Sequence, residues 1–289
     1  MIGRLFRLID TATKIVGITG NPLGHSLSPL MQNAALQRMG LNYVYLPFEV
    51  QPHQLDDVLS AVRVLDIRGL NVTIPFKHLI LDGLDALSAE ARACGAVNVI
   101  KNEDGRLTGY NTDGLGFIAS LEEKKIAVKG RALFIGAGGA ARSVACALAA
   151  GGIGHIDFMD INEEQAAEMA QWQKERGCSS HGYMMDDTRF IALSREADFI
   201  INASPIGMYP KIDASPIADL AQVKKSCVIC DLIYNPHPTR LIMMGQKSGL
   251  RTVSGLSMFV NQGALTLEIW TGLKPPLDYM KEVVVNALK

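Results

Sequence analysis

Short apolar runs alternate with stretches of helical period along most of the chain. Residues 15–18 form a strand that ends in a Gly/Pro loop, and residues 29–39 carry a helical period that stops at Gly40. Residues 43–50 read as a strand, 55–65 as a helix, 69–74 as a strand closed by Pro75, and 96–101 as a strand entering the Asp104-Gly105 turn. Alternation of this kind predicts βαβ units and a mainly parallel sheet covered by helices.

The pattern then breaks at Asn111-Thr-Asp-Gly114 and the charged stretch 122–129, and it restarts with the apolar run 131–135. Further strands are expected at 155–159, 197–201, 227–233 and 251–253, with helices between them. The last two helical stretches, 257–271 and 277–289, have no strand left to alternate with and are expected to return to the first domain. Two domains also suit the length, since 289 residues exceed the roughly 100–200 of a single domain.

Composition narrows the partners. With 48% hydrophobic and 20% charged residues, the chain reads as an ordinary soluble globular protein. Lys and Arg number 28 against 29 Asp and Glu, and no basic stripe is present to neutralise a phosphate backbone, so nucleic acid is a poor partner. No apolar run approaches the roughly 18 residues of a membrane helix. Residues 1–14 include Asp10 and lack a long apolar centre, so no membrane attachment and a cytoplasmic location are expected.

Five irregularly spaced cysteines point to free thiols in a reducing compartment. Cys227-x-x-Cys230 resembles a metal or redox pair, but it lies within an apolar strand and has no second ligand pair, so core packing is expected and no metal site is assigned.

The most specific local signal is Gly136-Ala-Gly138-Gly-Ala-Ala141, directly after one predicted strand and before a helix. Gly-x-Gly-x-x-Ala allows a tight turn, lets a pyrophosphate meet the backbone, and keeps helix and strand close. The following strand ends at Asp160, where an acid can bind an adenosine ribose. A purely steric Gly-rich turn is the other reading of the same residues.

Two more constellations lie in the first domain. Ser26-Leu-Ser28-Pro29 opens a helix, with Ser28 suited to the N-cap and Pro29 to the first helical position. The two serines serve either as a cap or as donors to a substrate carboxylate beside the positive helix end. Asn71, Lys77, Asn98 and Asp113 stand at or just beyond strand ends, where α/β sheets hold ligands. Together they could hydrogen-bond several ring hydroxyls. A Lys held beside an Asp can also move the hydroxyl proton that remains when hydride leaves an alcohol.

These residues resemble the shikimate/quinate dehydrogenase family. The resemblance rests on Ser26-Leu-Ser-Pro29, Asn71-Val-Thr-Ile-Pro-Phe-Lys77, Gly95-Ala-Val-Asn98, Gly109-Tyr-Asn-Thr-Asp-Gly114, Gly136-Ala-Gly-Gly-Ala140, Tyr234-Asn-Pro236, Gln262-Gly-Ala264 and Trp270-Thr-Gly272. It implies an α/β fold in which residues 1–114 and 256–289 form a substrate domain and residues 115–255 a Rossmann-type doubly wound dinucleotide-binding domain, with a cleft between them. The implied activity is reversible hydride transfer between NAD(P) and the ring hydroxyl of shikimate or quinate, a step of aromatic amino-acid biosynthesis. A monomer or homodimer acting on a small ring carboxylate is expected.

By the same resemblance Lys77 and Asp113 are the catalytic pair. Ser26, Ser28 and Tyr234 hold the substrate carboxylate, while Asn71, Thr73, Asn98 and Gln262 contact ring hydroxyls. The cofactor is assigned to Gly136, Ala137, Gly138, Gly139, Ala140, Asp160, Asn162, Ser204, Met208, Gly255 and Met258.

The chain departs from the family pattern where many members have Asn-Arg-Thr after the second Rossmann strand, because here Asp160-Ile-Asn162 stands instead. NAD is therefore expected over NADP, with NADP the weaker cofactor and Arg142 the one nearby cation that could stack on adenine or partly rescue it. Val99, Ser204-Pro-Ile-Gly-Met208 and Ser254 are further departures. The alternatives are a dehydrogenase of a related ring acid such as an amino analogue, a nucleotide-binding pseudoenzyme with a regulatory role, or a structural two-domain protein.

Overall fold

The computed structural model describes residues 9–289; residues 1–8, part of the stretch read above as lacking a leader's apolar centre, lie outside them. By internal contacts the chain divides into two units, one of residues up to Thr112 together with Gly263–Ala287, the other of Asp113–Gln262.

The first unit contains β1 (Lys14–Gly20), α1 (Ser28–Arg38), β2 (Tyr43–Glu49), α2 (Leu55–Val64), β3 (Gly69–Val72), α3 (Phe76–Leu79), β4 (Ala86–Leu87), α4 (Ala89–Cys94), β5 (Val99–Glu103) and β6 (Arg106–Tyr110). Its sheet has the order β2-β1-β3-β5-β6-β4. The first three strands are parallel, but β5 runs antiparallel to both β3 and β6, so the sheet is mixed rather than mainly parallel. The cause is local. Asp104 and Gly105 both adopt positive φ, 54° and 88°, the twist-matched two-residue turn that sends β6 straight back along β5. Leu59, Val62, Leu70, Phe76, Ile100 and Leu107 form the core under α2. Asn33 ties α1 to β2 by donating to the carbonyl of Tyr45 and accepting from its amide, at 2.8 and 2.9 Å.

The second unit begins with α5 (Asp113–Glu123) and continues through β7 (Arg131–Ile135), α6 (Gly139–Ala150), β8 (His155–Asp160), α7 (Glu163–Lys174), β9 (Ser179–Met184), α8 (Asp187–Ser194), β10 (Phe199–Asn202), β11 (Val228–Asp231), α9 (Arg240–Lys247) and β12 (Arg251–Ser254). Then comes α10 (Gly255–Thr271), whose residues from Gly263 onward group with the first unit, as does α11 (Leu277–Ala287). The sheet order is β12-β11-β10-β7-β8-β9 with every neighbour parallel. Counted from its first strand this is 3-2-1-4-5-6, the doubly wound dinucleotide-binding order.

Both faces of that sheet are buried, as continuous apolar strands require. One face packs Phe134, Val144, Leu148 and Phe158 under α6; the other packs Leu133, Ile135, Ile200, Ile229 and Leu241. Cys227 belongs to the second cluster and Cys230 to the first, so the pair faces opposite sides of β11. Burial pushes the Cys227 thiol up to about 12, as expected of inert packing groups. Among the described residues no helix is long and apolar enough to cross a membrane.

Candidate active site

The polar residues of the first unit meet in one buried network. Helix α1 starts at Ser28, with Leu27 in the cap position and no side-chain cap, so Ser28 is not the N-cap expected from the sequence. Instead the Ser26 hydroxyl accepts from the Ser28 amide at 3.3 Å, and buried Ser28 lies beside the phenol of Tyr45. Pro29 closes the backbone at the next position. A hydroxyl turned inward in this way fixes its neighbours rather than the helix end.

Tyr45 in turn donates its hydroxyl to Oδ1 of Asn71 at 2.8 Å. Burial raises the phenol pKa well above its ordinary value, against the opposing effect of Ser28, so Tyr45 acts as a neutral donor. Asn71 donates to the carbonyl of Asn98 at 3.1 Å and to the hydroxyl of Thr266 at 3.4 Å. Asn98 donates to Thr112 Oγ1 at 2.9 Å and accepts the Thr112 amide at 2.8 Å. Tyr45 and Thr266 lie outside the motifs quoted from the sequence, and Thr112 lies inside one without an assigned role. The available signal was a phenol on the inward phase of β2, since a buried Tyr hydroxyl needs a partner.

Thr73 and Lys77 follow β3. The amide of Thr73 donates to the carbonyl of Thr19, and its methyl lies against Gly20. Lys77 is half-buried in the single-turn helix α3, whose place is set by Phe76 in the core and by the Val97 amide donating to the Lys77 carbonyl at 2.8 Å. Asp113 directly follows Thr112 in the chain and opens α5 in the second unit, where it is buried.

The glycine loop has the geometry its sequence requires. Gly136 has φ +99°, and a Cβ there would lie 2.8 Å from the amide nitrogen of Ser204 and 2.9 Å from the carbonyl carbon of Ala203. Strands β7 and β10 therefore diverge around a position only glycine can hold. Gly138 stands at the N-cap of α6, and a Cβ there would meet nothing within 4 Å. Exposed Gly139 and Ala140 complete an open helix N-terminus, which suits a pyrophosphate.

Asp160 ends β8 with both oxygens directed at backbone amides, Oδ2 at Ala137 (2.8 Å) and Oδ1 at Asn162 (2.9 Å). Asn162 caps α7 by accepting from Gln165, and Gln165 donates back to the Ala137 carbonyl. The acid, the loop and α7 thus form one hydrogen-bonded unit, and these residues fit a bound dinucleotide. Arg142 is directed elsewhere: its guanidinium lies 4.3 Å from the ring centroid of Trp172, on which Arg176 also stacks at 4.1 Å.

The remaining assigned residues surround the far half of the same sheet end. Ser204 donates its hydroxyl to Oδ1 of Asn202 at 2.7 Å, which shapes the turn leading to exposed Met208. Tyr234 stacks on Phe259 with centroids 4.2 Å apart. Gly255 abuts the carbonyls of Leu232 and Ile233. Gln262 donates to the Phe259 carbonyl one turn earlier in α10. Met258 is buried in the core beneath α6.

Profiles of known families match two stretches, the shikimate dehydrogenase substrate binding domain over residues 18–100 and the shikimate 5'-dehydrogenase C-terminal domain over residues 255–285. The chain is 52% identical to the shikimate dehydrogenase (NADP(+)) of Syntrophomonas wolfei over 97% of both chains. A crystal structure of a shikimate dehydrogenase in complex with NADP+ superposes with a TM-score of 0.90 at 39% identity, covering 99% of this chain and 100% of the other. Shikimate 5-dehydrogenase from Listeria monocytogenes, solved with shikimate and NAD, gives 0.87 at 34% identity, covering 96% and 98%.

Proposed function

The chain belongs to the shikimate dehydrogenase family, and from that premise we propose that it interconverts shikimate and 3-dehydroshikimate, with NAD preferred over NADP and quinate the alternative substrate. As a family member it is an NAD(P)-dependent oxidoreductase acting on a CH–OH group. The intact set Ser26, Ser28, Asn71, Asn98, Lys77 and Asp113 disfavours a pseudoenzyme.

The nicotinamide cofactor supplies a hydride acceptor or donor when bound. The chain's own residues supply binding and proton movement. We assign the proton of the reacting hydroxyl to Lys77, with Asp113 as the carboxylate that completes the pair. Ser26 and Ser28, with Tyr234, are assigned to the substrate carboxylate, and Thr73, Asn71, Asn98 and Gln262 to ring hydroxyls. Since Asn71 and Asn98 are locked by Tyr45, Thr112 and Thr266, their remaining hydrogen-bonding capacity is held in a fixed direction before substrate arrives, which lowers the ordering cost of binding. The five cysteines, none of them in a disulfide, suit a reducing, cytoplasmic setting.

The observation that carries the cofactor preference is Asp160, clamped to the Ala137 amide. A carboxylate there accepts from ribose hydroxyls but repels a 2′-phosphate. Exposed Ile161 and the acidic first turn of α7, Glu163 and Glu164, provide no cation to offset that repulsion. The NADP(+) in the relative's name makes this the sharpest point to test. Steady-state kinetics with shikimate and quinate, each with NAD and NADP, is the experiment; the reading requires kcat/KM to be highest for shikimate with NAD.

A further inference from the structure

At the opposite end of β8 from Asp160, three side chains converge without a role in the reaction. His155 and Asp157 are two residues apart and therefore project from the same face of the strand. His181 on β9 is the register partner of Asp157 and projects beside it. His155 Nε2 lies 2.7 Å from Asp157 Oδ1, His181 Nδ1 lies 3.7 Å from the same oxygen, and the three ligand atoms all fall within 4.8 Å of one another. We propose that His155, Asp157 and His181 form a binding site for a borderline divalent cation such as Zn2+, with the fourth position open to water.

The donor set and its surroundings both suit such an ion. Two imidazole nitrogens and one carboxylate oxygen are the ligands this class of metal takes, at about 2.0–2.2 Å each. In a tetrahedral arrangement those lengths place ligand atoms about 3.3–3.6 Å apart. His181 is already near that spacing, and His155 needs only a small ring rotation away from the carboxylate.

The outer contacts are also in place. His155 Nδ1 lies 2.8 Å from Ser179 Oγ, so when Nε2 turns to the metal the ring proton sits on Nδ1 and donates to that hydroxyl. This is the second contact that orients ligating histidines. Arg131 holds the other oxygen of Asp157 at 3.3 Å, while Glu196 engages Arg131 at 2.7 Å and draws its charge outward. Asp157 is almost fully buried and His181 half-exposed, which gives the ion a fixed anchor and an entrance. Tyr183, with Arg189 stacked over it, closes the same face.

Position along the strand sets the consequence. His155 and Asp160 are roughly 16 Å apart at about 3.3 Å per residue, so the ion would clamp edge strand β9 to β8 without touching the ribose acid. The bound state is expected to be more heat-stable, because a ligand held only by the folded form stabilises it.

The test is titration of the untagged, EDTA-treated full chain with Co2+, read by its visible ligand-field bands, followed by displacement with Zn2+. One equivalent of Co2+ should develop the bands and Zn2+ should abolish them. His181→Ala, at a half-exposed position, should weaken binding by about tenfold or more, and Ser179→Ala by about tenfold. Exposed His53→Ala, in the other unit, should leave it unchanged. Nucleotide binding by each variant reports that the fold is intact. Absence of saturable binding by the wild-type chain, or binding indifferent to His181→Ala, overturns the site and shows the cluster to be an ion-pair network only.

Discussion

Asn202 and Asp231 occupy register-paired positions at the ends of β10 and β11, and the Asn202 amide donates to Asp231 Oδ1 at 3.1 Å. Asp231 also accepts from the Ile233 amide at 3.1 Å and the Thr239 hydroxyl at 2.7 Å. Asn202 holds Ser204 through its side-chain oxygen Oδ1, which accepts from both the Ser204 amide and the Ser204 hydroxyl. A single buried carboxyl thus supports the loops that carry Ser204 and Tyr234, two of the residues assigned to the ligands.

Burial outweighs these hydrogen bonds and raises the Asp231 pKa to about 6. The unfolded carboxyl titrates near ~3.9, so between these values the folded chain binds a proton the unfolded chain does not. Stability from this group is therefore fully present below about pH 4, falls as pH rises to about 6, and is level above that. The total is on the order of 3 kcal/mol at about 1.4 kcal/mol per pKa unit. Urea midpoints of wild type and Asp231→Asn across pH 4–7 should differ by this profile, the variant lacking the decline. Parallel profiles would show that Asp231 titrates normally in the fold.

For the pair we assign to proton transfer, Lys77→Met and Asp113→Asn should each lower kcat by roughly 10²–10⁴-fold, the span for losing a general acid or base. Nucleotide affinity should hardly change, because the glycine loop and Asp160 are built from other elements of the chain. Stopped-flow measurement of the chemical step with titration of cofactor fluorescence separates the two effects, and near-normal kcat in both variants would remove them from the chemistry.

Much of this arrangement was legible in the sequence, for reasons that differ residue by residue. Gly136 and Asp160 were readable because both depend on local geometry, a positive φ after a strand and an acid at the next strand's end. Strand β9 was not, since Ser179–Met184 is a partly exposed edge strand of mixed polarity with no apolar run. The Asp104-Gly105 turn was visible, but its effect on strand direction changes the sheet from mainly parallel to mixed only once β5 has paired with β3. Tyr45, Thr112 and Thr266 acquire their roles through contacts spanning 14 to 195 residues in sequence, which no local pattern encodes.

That network leads to a further prediction. Ser26→Ala with Ser28→Ala should raise KM for shikimate at a cost of about 1–3 kcal/mol, the range for hydrogen bonds to a charged group. Because Ser28 does not cap α1, the loss of stability should reflect the Tyr45 contact rather than helix fraying. Tyr45→Phe isolates this second part: it removes the donor to Asn71 Oδ1 and should lower stability by about 1–3 kcal/mol while raising KM through a loosened Asn71. A double serine variant with unchanged KM would return these serines to a structural role.

On the proposed reading, cofactor choice depends on how firmly Asp160 is held. Its Oδ2 is fixed by the Ala137 amide and its Oδ1 by Asn162, so the carboxylate cannot swing away from an added phosphate without freeing two backbone donors beside the glycine loop. Relief by a cation would have to come from Arg142, but its guanidinium stacks on Trp172, and Ile161 points into solvent where an arginine would meet the phosphate. Asp160→Asn keeps an oxygen for one of the amides while removing the charge, and Ile161→Arg adds a bidentate phosphate partner. The double variant should shift the ratio of kcat/KM for NADP to that for NAD upward by about 10²-fold or more, as two changes each worth roughly 1–3 kcal/mol. It should do so with little change in kcat, since neither residue is assigned to the substrate or to proton transfer. Equal efficiency of the wild-type chain with both cofactors, or an unmoved ratio in the variant, would mean that Asp160 serves the loop alone and does not read the ribose.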